Sequence, residues 1–229
     1  AAPVDGLSDD DVGAILQDRR GILWFGTHGG LNRYDPGTGQ FTSYRHDPQD
    51  PESLSHDIVF AIHEDEAGRL WLGTWGGGLN RFDREEATFT HYRVKDGLPN
   101  DVIYGILEDG SGHLWLSTNG GLARFDPAME RFWTYDARDG LQSNEFDFNA
   151  YARGRDGAFF FGGISGFNSF FPEAVRSNPH VPRVVLTALT QRGESLIPGK
   201  DVAALDKPAV RITDNQFEFE FTALGFHQP

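Results

Sequence analysis

The stretch Gly68–Asp83, GRLWLGTWGGGLNRFD, decides the fold because three other segments of the chain repeat it. The related segments are Gly21–Asp35 (GILWFGTHGGLNRYD), Gly112–Asp126 (GHLWLSTNGGLARFD) and Gly157–Phe171 (GAFFFGGISGFNSFF). Their anchor aromatic residues are Trp24, Trp71, Trp115 and Phe160. These anchors recur at intervals of roughly 45 residues, which is a period typical of propeller arrays. The repetition predicts four copies of one small unit.

Each repeat is predicted to fold as a blade of four short strands. In the second repeat the strands are expected at Ile58–Asp65, Leu70–Trp75, Leu79–Asp83 and Thr88–Val94. Turn residues separate them, and the inner strands are apolar on both faces, as expected for a sheet that a neighbour covers on each side. The predicted fold class is all-β, with four β-propeller blades of four-stranded antiparallel sheet followed by the beginning of an immunoglobulin-like β-sandwich.

The repeated aromatic and acidic residues have predicted structural roles. The anchor aromatic side chains are expected to fill the space between adjacent sheets. Asp18, Asp65 and Asp109 precede their tryptophans at a constant spacing, and we expect them to fold the first hairpin of each blade by side-chain to backbone hydrogen bonds.

The chain is predicted to contain two domains. Residues 1–172 hold the four blades, and residues 173–182 (EAVRSNPHVP) form a polar, proline-containing linker. Residues 183–229 are the truncated start of a sandwich, because such a domain needs about 100 residues. Within it, Gln216–Phe221 alternates phenylalanine with glutamate, which predicts a strand with one solvent-exposed face.

The composition excludes several classes of function. The net charge of −14 disfavours nucleic acid and anionic membrane surfaces as partners, because both require basic residues. The absence of cysteine excludes disulfides, zinc–thiolate sites and thiol nucleophiles. No apolar run approaches the roughly 18 residues of a membrane-spanning helix, so no membrane contact is expected within this segment. The opening residues, AAPVDGL, have no signal-peptide character and are expected to lie inside a longer protein.

Several of these motifs together resemble the two-component regulator propeller repeat. The match is carried in the third repeat by Asp96-Gly97-Leu98, Asp101, Ile106, Asp109 and Gly112-His113-Leu114-Trp115. The fourth repeat resembles the terminal blade of that family through Asn144-Glu145-Phe146, Phe161-Gly162-Gly163, Gly166-Phe167 and Phe171-Pro172. The segment Ile212–Phe219 is similar to the start of the three-tyrosine (Y-Y-Y) β-sandwich that follows such propellers.

The resemblance implies an extracytoplasmic (periplasmic) sensor region of a membrane-bound signalling protein. In that family the output is usually a histidine kinase or a hybrid two-component system, sometimes a cyclic-dinucleotide synthase, and several members detect an oligosaccharide. Family propellers usually have seven blades, so the four repeats here correspond to the last four. The open propeller edge and the sandwich are then candidate homodimer surfaces.

Two sets of residues are candidates for ligand binding. His28, Trp75 and Asn119 occupy one variable position before the glycine turn, and Asp10, Asp57, Asp101 and Asn144 occupy one position in the segment that leads into each blade. Both sets are expected on the same face of the propeller, where aromatic, amide and carboxylate groups are suited to a neutral sugar or another small ligand. The alternative is that all of them are turn residues without a ligand.

No catalytic or metal-binding pattern stands out in the sequence. Asp18, Asp65, Asp109 and Asp156 lie in different blades, so they do not predict a calcium site, and the eight histidines lack metal-binding spacing. We therefore predict no cofactor, no metal and no enzymatic activity for this segment. The alternatives are a protein-binding propeller scaffold and, less favoured, a propeller lyase or glycosidase that would use residues such as Glu145, His56 and His91.

Overall fold

Four antiparallel sheets follow one another along the chain in the computed structural model, which describes residues 2–4, 6–175, 183–191, 194–195 and 217–224. Blade 1 contains β2 (Val12–Gln17), β3 (Leu23–Thr27), β4 (Gly30–Asp35) and β5 (Gln40–Tyr44), and β1 (Ala2–Val4) pairs with β5 at its outer edge. Blade 2 contains β6 (Val59–Glu64), β7 (Leu70–Thr74), β8 (Leu79–Asp83) and β9 (Thr88–Tyr92). Blade 3 contains β10 (Ile103–Glu108), β11 (Leu114–Thr118), β12 (Gly121–Asp126) and β13 (Arg131–Tyr135). Blade 4 contains β14 (Phe146–Arg153), β15 (Phe159–Gly163) and β16 (Gly166–Phe170).

The first strands of the blades line a common axis, as in a β-propeller. Strand β6 contacts β2 and β10, β10 contacts β14, and β14 also contacts β6. The predicted all-β propeller with four blades is therefore confirmed. Short 3-10 turns lie at Val94–Asp96, Ala137–Asp139 and Pro172–Ala174.

The number of strands per blade differs from the uniform four that the repeats predict. The described sheets have five, four, four and three strands. Blade 1 gains β1, whereas in blade 4 the chain leaves β16 for the 3-10 turn Pro172–Ala174. Proline has no N–H to donate to a strand ladder, so it favours such an exit from the sheet.

The anchor tryptophans fill the spaces between successive blades. Trp24, Trp71 and Trp115 are 2%, 0% and 1% exposed. The Trp24 ring lies 5.5 Å from Phe82 of blade 2 and the Trp71 ring lies 5.6 Å from Phe125 of blade 3, both edge to face. Each tryptophan thus packs against the following blade. Such ring pairs contribute about 0.5–1.5 kcal/mol of stability in addition to that from the apolar area they bury.

Phe160 differs from the other three anchors. It pairs across the hairpin with Ser169 as Trp115 pairs with Arg124, yet it is only half-buried, whereas Phe159 and Phe161 beside it are fully buried in the cluster shared with blade 3. Within residues 6–175, no fifth blade follows blade 4 on the face that carries Phe160. Phe160 therefore has the same strand register as the three tryptophans but does not lie between two blades.

The aspartates before the tryptophans accept hydrogen bonds from both the hairpin backbone and the indole N–H. Asp18 Oδ1 accepts hydrogen bonds from the backbone N–H groups of Arg20 and Ile22, which confirms the predicted turn role. Its Oδ2 accepts a bond from Trp24 Nε1 at 2.8 Å, and the pairs Asp65–Trp71 and Asp109–Trp115 repeat this contact at 2.8 and 2.9 Å. In blade 4 Phe160 replaces the tryptophan and Gly154 replaces the aspartate. A phenyl ring has no N–H to donate, so this blade needs no acceptor at position 154.

The chain forms two compact units, Ala1–Val175 and Arg176–Pro229. In the second unit β17 (Arg183–Gln191) pairs with both β18 (Glu194–Ser195) and β19 (Phe217–Leu224). The strand expected at Gln216–Phe221 is thus present as β19, and Glu218 and Glu220 are exposed as the alternation predicts. Residues 176–182 of the expected linker and Ile212–Gln216 of the Y-Y-Y-like segment lie outside the described residues.

Candidate ligand-binding site

Two aromatic side chains near the axis come from β-bulges in the first strands of blades 2 and 3. The β6–β7 register shifts between Val59 and Ala61, and the β10–β11 register shifts between Ile103 and Gly105. The extra residues are Phe60 and Tyr104. A bulge redirects the side chain of its extra residue, and here the two rings stack with centroids 5.8 Å apart and are each 7% exposed.

Trp75 and Phe148 complete a group of four rings, which we call the axial aromatic cluster (Phe60, Trp75, Tyr104 and Phe148). The ring centroid of Phe60 lies 5.4 Å from that of Trp75 and 4.6 Å from that of Phe148, and Trp75 lies 6.2 Å from Tyr104. Trp75 and Phe148 are 45% and 40% exposed. The cluster therefore presents two partly exposed rings to solvent above two buried ones.

His28 and Asn119, which the sequence grouped with Trp75, border this cluster. Asn119 Oδ1 accepts a hydrogen bond from the Tyr104 hydroxyl at 3.1 Å. The His28 ring lies 6.1 Å from Phe60, and its Nδ1 lies 3.2 Å from Asp11 Oδ2. The structure thus brings together all three residues of the variable hairpin position.

Negative charge lies close to the cluster. Burial raises the pKa of the Tyr104 hydroxyl, the hydrogen bond to Asn119 lowers it, and the charges of Asp147 and Glu145 raise it further, with a net increase. Tyr104 is therefore a protonated hydrogen-bond donor at neutral pH. The two carboxylates favour a ligand that is neutral or positively charged.

The side chains in the segments that lead into the blades were expected to face a ligand, but three of them bond to backbone N–H groups. Asp57 Oδ1 accepts from the His46 N–H at 2.7 Å, Asp101 Oδ1 from the Val94 N–H at 2.8 Å, and Asn144 Oδ1 from the Ala137 N–H at 2.8 Å. Each donor lies two residues after the end of the outer strand of the preceding blade. These side chains therefore link each blade to the preceding one by hydrogen bonds. Asp10, in the corresponding segment of blade 1, is exposed.

Phe60, Tyr104 and Phe148, the larger part of the cluster, were not among the residues predicted from the sequence. The available signal was the variable residue within the otherwise repeated starts of the first strands, Val12-Gly13-Ala14, Val59-Phe60-Ala61 and Ile103-Tyr104-Gly105. A Cβ atom at Gly13 would lie 2.9 Å from the Val59 carbonyl oxygen and 3.4 Å from Phe148 Cζ. Glycine at this position in blade 1 thus allows the close approach of β6.

The arginine-lined pocket between blades 1 and 2 is electrostatically balanced. Its volume is about 310 Å³, and Arg20, Arg33 and Arg84 contribute to its lining. Arg84 pairs with Asp18 at 2.6 Å and Glu64 at 2.8 Å, and Arg33 pairs with Asp35 at 3.1 Å. Because internal carboxylates satisfy two of the three guanidinium groups, the pocket has little excess charge for an anionic ligand.

The histidines considered for catalysis bond the backbone. His56 Nδ1 accepts from the Ile58 N–H at 3.1 Å, and His91 Nε2 lies 2.7 Å from the Ser53 carbonyl oxygen. Within the described part of the chain, no group of three or more metal-ligating side chains comes together. No helix among the described residues has the length and apolar character needed to cross a membrane.

Three segments of the chain match a known family. Residues 6–29, 53–76 and 97–120 match the model described as "Two component regulator propeller". A curated relative, Histidine kinase P4 of Formosa agariphila, is 36% identical over 90 residues, which are 39% of this chain and 7% of that protein. The chain therefore corresponds to only a small part of that relative.

Solved structures share the fold at low sequence identity. The extracellular domain of a B. thetaiotaomicron protein described as a one component system has a TM-score of 0.60 and 23% identity, covering 81% of this chain and 27% of that one. Virginiamycin B lyase from Staphylococcus aureus has a TM-score of 0.52 and 18% identity, covering 69% of this chain and 55% of that one. The same fold thus occurs in the extracellular domain of a one component system and in a lyase, and it does not decide function by itself.

Proposed function

We propose that this chain is the ligand-sensing segment of the extracytoplasmic part of a membrane-bound two-component sensor, because residues 6–29, 53–76 and 97–120 match the two-component regulator propeller model. Its ligand is an oligosaccharide that binds at the axial aromatic cluster. The segment itself performs no chemistry, and the signal passes to a kinase elsewhere in the protein. The histidine kinase relative and the extracellular structural neighbour support this assignment.

The observation that carries the ligand proposal is the pairing of exposed rings with polar groups. Trp75 and Phe148 present partly exposed faces, on which the C–H face of a pyranose packs by the hydrophobic effect. His28, Asn119 and the carboxylates near Tyr104 surround these rings, and such groups orient sugar hydroxyls by hydrogen bonds. The carboxylates select neutral and amino sugars over uronic acids.

A matched pair of tryptophan variants tests the site. We expect binding of a neutral oligosaccharide, measured by isothermal titration calorimetry across a panel of chain compositions, to weaken at least about tenfold in Trp75→Ala, as for a central aromatic contact. Trp133→Ala, which alters a half-buried tryptophan on the outer strand of blade 3, and Asp101→Asn, which keeps the acceptor for Val94, serve as controls. Unchanged affinity in Trp75→Ala contradicts the proposed site, and absence of binding across the panel contradicts oligosaccharide detection.

The signalling assignment has a separate test in the full gene. We expect the encoded protein to contain a membrane-spanning helix followed by a kinase or cyclase domain. A gene without either contradicts the sensor assignment, whatever the result of the binding experiment.

A protein-binding scaffold is the second candidate, favoured by the exposed apolar side chains of blade 4. Ile164, Phe167 and Phe171 are 61%, 67% and 48% exposed. Patches of exposed apolar residues often mark protein interaction surfaces. Under this alternative, Phe167→Glu would abolish function in cells while Trp75→Ala would not.

A further inference from the structure

The two end blades of the propeller each have one apolar face that no other blade covers across residues 6–175. In each internal contact an anchor tryptophan packs on the following blade: Trp24 on blade 2, Trp71 on blade 3 and Trp115 on blade 4. We call the side of a blade that carries the anchor its anchor face, and the side that packs against the preceding anchor its receiving face. Blade 4 therefore has an uncovered anchor face, and blade 1 has an uncovered receiving face.

The anchor face of blade 4 exposes apolar rings at positions that are buried in the other blades. Phe160 has the strand register of the anchor tryptophans but is only half-buried. Phe167 lies beside it, and its ring centroid is 6.4 Å from that of Phe160. The residues with the register of Phe167 in the other blades are Leu31, Leu79 and Leu122. These leucines are at most 1% exposed, whereas Phe167 is 67% exposed.

The receiving face of blade 1 exposes an isoleucine that is buried in the next two blades. Ile15 has the strand register of Ile62 in blade 2 and Ile106 in blade 3. Ile62 and Ile106 are 9% and 3% exposed, and each belongs to a core cluster that also contains the anchor tryptophan of the preceding blade. Ile15 is 66% exposed, so it has the position of an interface residue without the interface.

Blade 1 also has the pair of rings that receives an anchor. In blade 2 the anchor Trp24 packs on Phe82, whose ring centroid is 4.8 Å from that of Phe89. Tyr34 and Phe41 have the same strand positions in blade 1, their centroids are 4.6 Å apart, and both are half-buried. Blade 1 thus presents the ring pair on which an aromatic anchor packs.

A backbone hydrogen bond accompanies the first two internal contacts. The N–H of Arg19 in blade 1 donates to Glu64 Oε2 in blade 2 at 2.8 Å. The same bond joins blades 2 and 3, at 3.0 Å, through Glu66 and Glu108. The equivalent donor position in blade 4 is Arg155 and the equivalent acceptor position in blade 1 is Gln17, and both residues are exposed. The amide oxygen of Gln17 can accept such a bond as the carboxylates do.

From these features we infer that the anchor face of blade 4 packs on the receiving face of blade 1 in a second copy of this chain. Phe160 packs on the ring pair of blade 1, and Phe167 and Ile15 become buried. A second copy is the partner that these features specify, because one chain carries both complementary faces.

The contact is head to tail, and two copies can form it twice and so close into a ring. Two copies of four blades give eight, which is within the range of known propellers. The interface does not include the axial aromatic cluster, so it is tested independently of the proposed oligosaccharide site.

Sedimentation velocity of the full 229-residue chain measures the association. We expect a species of twice the 25.5 kDa chain mass to form between about 1 and 100 µM, which corresponds to an affinity of moderate strength. Because each copy has a net charge of −14, salt that screens their repulsion should strengthen this apolar contact. A monomer throughout the range, a species of three or more copies, or weakening by salt overturns the inference.

Two charge insertions disrupt opposite faces. Phe167→Glu alters the anchor face and Ile15→Glu alters the receiving face, and each should leave a folded monomer, because both side chains are largely exposed and every contact needs both faces. Met129→Glu is the control at a side chain that is 65% exposed in the outer turn of blade 3, and it should retain the dimer. A dimer that persists in Ile15→Glu but not in Phe167→Glu would show that blade 4 packs on itself, and persistence in both would assign the association to another surface. Either result overturns the head-to-tail contact.

A mixture of the two variants identifies the direction of the contact. The anchor face of Ile15→Glu and the receiving face of Phe167→Glu are both intact, so the mixed pair can form one contact. We expect the equimolar mixture to form a dimer that is weaker than that of the unmodified chain, although each variant alone is monomeric. A mixture that stays monomeric refutes the inference.

Discussion

At the scale of single residues, Trp71 and Trp75 show that position within a repeat determines the role of a side chain. They lie in one short segment, yet Trp71 is fully buried and Trp75 is 45% exposed. Trp71 also donates its indole N–H to Asp65. One indole therefore belongs to the core between two blades, and the other is available to a ligand.

The two tryptophans should respond differently to truncation. We expect Trp71→Ala to lower the free energy of unfolding by about 3–5 kcal/mol, because it creates a cavity between blades 2 and 3. Trp75→Ala should lower it by about 1 kcal/mol or less, since only a partly exposed ring contact is lost. Urea denaturation measures both, and equal losses would contradict the assignment of Trp75 to the surface.

Asp65 is expected to make stability depend on acid pH. Burial raises the pKa of its carboxyl most strongly, but hydrogen bonds from Trp71 and from the backbone and side chain of Arg69, together with the Arg69 charge, outweigh burial and leave the pKa below 3.8. A carboxyl with a depressed folded-state pKa contributes stability above its unfolded-state pKa of about 3.9 and loses that contribution as the pH falls through the folded-state value.

The matching variant is Asp65→Asn. It should lower the free energy of unfolding by about 1–3 kcal/mol at pH 7, because an amide cannot accept from all of these donors. It should also reduce the dependence of that free energy on pH below about 4. Asp156→Asn, at an exposed residue of blade 4, is the control, and equal acid dependence in all three proteins would refute the role of Asp65.

At the scale of the element, the hairpins show a correlated replacement of hydrogen-bonding residues. In blades 1 and 2, Ser8 and Ser55 donate their backbone N–H to Asn32 and Asn80. The equivalent positions in blade 3 hold Pro99 and Ala123. Because proline has no N–H, an asparagine at position 123 would have no backbone donor from residue 99. Ala123 therefore avoids a buried unpaired amide.

Gly121, in a hairpin, and Gly140, after a 3-10 turn, differ in how much free energy a side chain would cost. Gly121 and Gly140 have φ values of 110° and 97°, so any L-residue there is strained by about 1–2 kcal/mol. A Cβ atom at Gly121 would in addition collide with the Tyr135 carbonyl oxygen, whereas one at Gly140 would meet nothing within 4 Å. We expect Gly121→Ala to cost about 3–4 kcal/mol and Gly140→Ala about 1–2 kcal/mol in urea denaturation. Equal costs would contradict the close approach at Gly121.

The strands were predictable from the sequence, whereas the binding surface was only partly so. The repeat placed β7 and β8 to within one residue of their observed bounds, because apolar runs and turn residues act locally. The variable residue in the first strands marks the positions of Phe60 and Tyr104, but the pattern does not show that a bulge turns their rings toward each other. Phe160 was expected between two sheets, but its side chain is only half-buried.

At the scale of the whole molecule, two histidines should lower the free energy of unfolding on acidification, at pH values above those at which carboxylates titrate. Burial lowers the pKa of His56, the Asp57 charge raises it, and the charges of His46 and Arg93 lower it further, with a net decrease. Burial also lowers the pKa of His91, against the hydrogen bond to Ser53. Between the unfolded-state pKa of about 6.5 and the lower folded-state values, the unfolded chain binds more protons, so acidification favours unfolding.

We therefore expect the free energy of unfolding to be constant above about pH 7.5 and to decrease as the pH is lowered from about 7 to 5. This window lies above the pKa values of carboxyl groups, so it is separate from the effect of Asp65. The double variant His56→Asn, His91→Gln keeps an acceptor for Ile58 and a donor to Ser53 but cannot be protonated, and it should flatten this part of the profile. His28→Asn, at an exposed histidine near the axial aromatic cluster, is the control for the replacement of a histidine. Urea denaturation at several pH values measures all three proteins, and a double variant with the slope of the unmodified chain would show that other groups cause the decrease.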